Sequence, residues 1–132
     1  MATRHEIRVQ LEQHVGKVAV AVTLHIAANL VAAPSEGGTP VDTGWARANW
    51  VPAIGRAFEG VAGSRTNVSS GAQSAGQASL LSYRIAMGPI YVSNNVPYIL
   101  ALNDGHSPQA AAHFIERAID KAVLEDIRGF AA

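Results

Sequence analysis

The chain has 132 residues, 48% of them apolar, which suits one domain (residues 1–132) with a sizeable core. Charged residues make up only 15%, against roughly 25% in an ordinary soluble domain, and ten basic residues balance ten acidic ones. That balance argues against a dedicated duplex binder, which needs a basic excess or stripe; the lack of cysteine removes disulfides, thiolate chemistry and Cys-type zinc sites.

In chain order, residues 3–33 predict one long helix. Ile7, Leu11, Val15, Val18, Val22, Ile26 and Leu30 recur every three or four positions, on one face. The second half adds Val20, Leu24, Ala27, Ala28 and Val31, so it is apolar nearly all round and is expected to be buried on several sides. The start of the chain shows no charged segment leading into an apolar run, so no signal peptide is expected. Thr23, His25 and Asn29 interrupt residues 18–33, too short and polar a run to span a bilayer. Pro34, Gly37, Gly38 and Pro40 end the helix.

Asp42 or Thr43 then offers an N-cap for a short helix over residues 44–49, with the chain extended from Trp50 to Ile54. Residues 59–76 are mostly Gly, Ser, Ala and Thr and predict a flexible loop. Leu80, Leu81, Tyr83, Arg84, Ile85 and Met87 fit a short helix that could begin in the Ala/Gln stretch before it; Ile90-Tyr91-Val92-Ser93 alternates as a strand, and Asn94-Asn95 marks a turn. A short helix or turn spans residues 97–102. Ser107 and Pro108 are expected to open the last helix, whose apolar face is Phe114, Ile115, Ala118, Ile119, Ala122, Val123 and Ile127. The order predicts an α+β fold: a small antiparallel or mixed sheet packed by a long N-terminal helix and a C-terminal helix.

Chemistry is sparse. The stretch Gly60-Val61-Ala62-Gly63-Ser64-Arg65 lacks the lysine and spacing of a phosphate loop, and no Gly-x-Ser-x-Gly elbow occurs. The five histidines form no His-Glu-x-x-His pair. Asp104, His106 and His113 could meet near the last helix start, but turn capping by His106 and an ordinary helical His113 are the favoured roles, and no metal or other cofactor is expected. Asp42 beside Thr43 could suggest an acid and a nucleophile; helix capping is the stronger reading.

Two blocks carry a resemblance. Thr39-Pro40-Val41-Asp42-Thr43-Gly44, followed by Arg47 and Trp50, resembles the "TPVDTG-x-x-R-x-x-W" signature of the neck and minor tail components of tailed phages, the tail-completion or head–tail joining proteins. Downstream, residues 90–98, with Asn94, Asn95, Pro97 and Tyr98, then Leu102 and Gly105-His106-Ser107-Pro108-Gln109-Ala110, resemble that family's "I-x-N-N-x-P-Y-A-x-x-L-E-x-G-H-S-x-Q-A-P" block. The blocks stand in the family's order, with helices before and after, and the likeness covers nearly the whole chain. Departures are Asn103-Asp104 where the family has an acidic residue before the glycine, and Ala111 where it has proline.

The resemblance implies a non-enzymatic ring subunit of the neck, joining capsid to tail and lining the DNA channel. It further implies assembly in the host bacterial cytoplasm and residence in the virion. Its partners would be copies of itself (a hexamer favoured over a dodecamer), other neck proteins and tail-tube proteins, with no membrane and with genomic DNA met only in transit. Asp42, Thr43, Gly44, Arg47 and Trp50 in the first block, and Asn94, Asn95, Pro97, Tyr98, Gly105, His106 and Ser107 in the second, are the expected structural or interface positions. Arg65 is the candidate channel-facing residue, although a solvated role is the favoured one. The alternatives are a tail-tube or sheath terminator, a nucleic-acid-binding module, and a small hydrolase built on Asp42, His106 or His113. The low charge also fits surface covered in an assembly, where the bland explanation is an alanine-rich composition.

Overall fold

A computed structural model describes residues 3–40, 45–61, 71–105 and 112–131 of the chain. The first helix, α1 (Arg4–Val31), opens with a capping box. The Thr3 hydroxyl accepts the Glu6 N–H at 3.1 Å while the Glu6 carboxylate accepts the Thr3 N–H at 2.8 Å, so two helix-end donors are satisfied reciprocally. The helix stops where Ala32 turns extended, ahead of a 3-10 turn at Pro34–Glu36. Gly38 then passes so close to the helix end that a Cβ there would lie 1.8 Å from the Ala32 carbonyl oxygen, which only glycine permits.

A second 3-10 turn, Arg47–Asn49, leads into strand β1 (Val51–Ile54). Strand β2 (Ile90–Ser93) pairs antiparallel with it, from Val51 opposite Ser93 to Ile54 opposite Ile90. The Gly55 N–H continues the ladder to the Pro89 carbonyl at 2.8 Å. Pro52 opposes Val92, two pairs along in the alternation from that bonded pair's neighbour. It therefore occupies a position whose missing N–H would point away from β2.

Between the strands lie α2 (Gly71–Ser79) and two 3-10 turns, Leu80–Ser82 and Ile85–Met87. This corrects two expectations. Residues 71–76 of the expected loop are helical, and the apolar run 80–87 makes two separate turns rather than one helix. Composition offers α2 no apolar driving force, but tertiary contact does: at Gly76 a Cβ would stand 2.3 Å from the Pro52 carbonyl oxygen, so the helix backbone rests directly on β1. The Gln73 amide also donates to the Arg47 carbonyl at 3.1 Å. Residues 62–70 of the expected loop lie outside the described residues.

Helix α3 (Ile99–Asn103) is a single short turn before α4 (Phe114–Ala131). The last helix runs antiparallel to α1. His25 pairs with Asp126 (Nδ1–Oδ1 2.7 Å), and four residues on, the Asn29 amide donates to the Ala118 carbonyl at 3.1 Å. Small buried residues, Ala27 on α1 and Ala118 and Ala122 on α4, let the two backbones approach. The central core joins Leu30, Ala46, Trp50, Val96, Ile99, Phe114 and Ala118; each large side chain in it contributes about 1.5–3 kcal/mol by burial. The observed architecture is the expected α+β fold, with a two-stranded antiparallel sheet and long helices at each end of the chain.

The apolar face of α1 divides in two. Thr23, Ala27 and Leu30 are buried, but Ile7, Leu11 and Val15 are 47%, 59% and 48% exposed. The first buried residue of the helix is Gly16, which faces the Ile85–Met87 turn. Residues 4–15 are thus about three turns, roughly 18 Å, of helix with no buried side chain among the described residues. The expected burial of the second half on several sides is only partial, because Leu24 is 36% exposed and Ala28 is exposed beside the buried Ala27. By length and composition α1 is long and apolar enough to cross a membrane, which corrects the expectation drawn from residues 18–33, and 22% of its most apolar stretch is buried.

Candidate functional site

The two motif blocks converge on the C-terminal end of α1. The last carbonyls of a helix lack intrahelical partners and carry its negative dipole end, and α1 has no basic residue in its own last turn. The first block supplies both missing elements. Thr39, fully buried, donates its hydroxyl to the Leu30 carbonyl at 2.7 Å and its backbone N–H to the same oxygen at 2.9 Å. The Arg47 guanidinium donates through Nε to the Val31 carbonyl, bringing positive charge to the helix end. The Trp50 indole N–H donates to the Thr39 hydroxyl at 2.7 Å, so the ring is buried without an orphaned donor. Thr39, Arg47 and Trp50 therefore act as one C-terminal cap for α1.

The second block locks onto the first. The Asn94 amide donates to the Ala46 carbonyl at 2.8 Å, and its own side-chain oxygen accepts the Val96 N–H at 3.1 Å in a local turn. The neighbouring Asn95 amide reaches the carbonyls of Phe58 and Gly60 at 2.8 and 3.1 Å, tying down the chain beyond β1. Tyr98 stacks obliquely on Trp45, ring centroids 5.9 Å apart. Pro97 is exposed beside it. Gly105 holds φ at 98° after α3 and donates its N–H to the Leu102 carbonyl at 3.2 Å.

Helix α4 starts later than Ser107-Pro108 suggested, because His113 takes a left-handed φ of 66° and Phe114 is the first helical residue. The cap comes from the preceding element. Asn103, buried, accepts the Ile115 N–H at 3.0 Å on its side chain and the His113 N–H at 2.6 Å on its carbonyl. Its amide donates to both Glu116 oxygens at 3.0 Å. The Glu116 carboxyl is held below the ordinary glutamate range, first by its own backbone N–H and then by Asn103, against an opposing effect of desolvation and with a lesser lowering by His113.

Of the expected positions, Arg47, Trp50, Asn94, Asn95 and Tyr98 are brought together around Ala46 and the end of α1. Asp42, Thr43, Gly44, Arg65, His106 and Ser107 lie outside the described residues. The short helix expected over residues 44–49 is, among the described residues, the Arg47–Asn49 turn, and the capping expected of Asp42 or Thr43 lies outside the described residues. His113 is exposed and faces Glu116 at 3.8 Å. Among the described residues, no group of three or more His, Asp or Glu side chains could hold a metal ion. Sequence reasoning missed Asn103 and the His25–Asp126 pair; the only signal for Asn103 was its place in a turn-rich segment, and the pair has none, since its members are 101 positions apart.

Comparison of the chain with protein-family models, curated proteins and solved structures gave no match.

Proposed function

We propose that the chain is a structural subunit of the ring that joins head to tail in a tailed phage, part of the wall around the DNA channel. The observation that carries this reading is the joint itself. The residues of the two resembling blocks serve a shared structural purpose, capping α1 and fastening the second block to Ala46. Thr39, Arg47 and Asn94 all donate to backbone carbonyls, while the Thr39 hydroxyl also accepts the Trp50 indole N–H and the Asn94 side-chain oxygen accepts the Val96 N–H. This is the chemistry of a subunit that must hold loops and one helix at fixed angles to its neighbours.

The test is to locate and count the chain in intact particles by imaging. The expected result is a closed ring at the neck, six copies rather than twelve, with DNA-filled but tailless heads when the chain is absent. A chain missing from virions, with tailed particles formed normally without it, contradicts the reading.

A further inference from the structure

We draw no further inference here: the strongest candidate, the exposed Ile7–Leu11–Val15 stripe on the first three turns of α1, is an unpartnered apolar face, and nothing in the structure shows what covers it.

Discussion

The two halves of α1 carry the same apolar periodicity and do opposite things with it. Residues 16–31 turn theirs inward: Thr23, Ala27 and Leu30 are buried, His25 and Asn29 reach across to α4, and Thr39 and Arg47 close the end. Residues 4–15 turn Ile7, Leu11 and Val15 outward. An amphipathic pattern therefore says that a helix has an apolar face, and says nothing about whose surface covers it. The difference teaches that one helix can pair a core-facing half with a solvent-facing half, and mutation can test the two separately.

The largest effect should come at the cap of the inner half. Trp50→Ala removes a buried ring and leaves the Thr39 hydroxyl without its donor; we expect about 3–5 kcal/mol lost in denaturant unfolding. Leu30→Ala opens a cavity in the same core and should cost about 2–4 kcal/mol. Thr39→Val keeps the shape but deprives the Trp50 N–H of its acceptor, for about 1–3 kcal/mol. Asn103→Ala, at the start of the helix that packs on the inner half, should cost about 1 kcal/mol as a lost N-cap. At the outer half, Leu11→Ala should shift stability by no more than about 0.5 kcal/mol. A loss at Leu11 comparable to that at Leu30 would erase the distinction.

Acid provides a finer probe near the α4 start. Glu116 has a lowered carboxyl pKa in the folded chain, so its contribution to stability is present above the ordinary glutamate range and fades as pH falls through the lowered value. Glu116→Gln should remove that part of the acid limb and leave the neutral-pH melt little changed. The group is fully exposed, so the effect is expected to be small. A variant whose acid limb matches that of wild type would show that the Asn103–Glu116 contact does not bear on folding.

Much of the frame was legible because it is periodic. The long helix was placed within two residues of its ends, and the alternation of residues 90–93 and the β-prone segment after Trp50 became the two strands. What was not legible is long-range. A helix start in the Ala/Gln stretch was one reading, but α2 is built from Gly, Ala, Ser and Gln, and its place is set by the contact of Gly76 with Pro52 and of Gln73 with Arg47. The start of α4 was misplaced because Ser107-Pro108 is a good local signal, whereas the cap is Asn103, on the preceding helix. The motif blocks were recognised as a site, but their geometry was not. Thr39 and Arg47 cap a helix that ends before either of them, a relation that spacing alone does not express.

The most direct test of the divided helix is hydrogen exchange along α1 of the full chain. The account predicts strong protection for residues 16–31, which carry the buried Thr23, Ala27 and Leu30, and weak protection for residues 4–15. Equal protection of the two halves would contradict it.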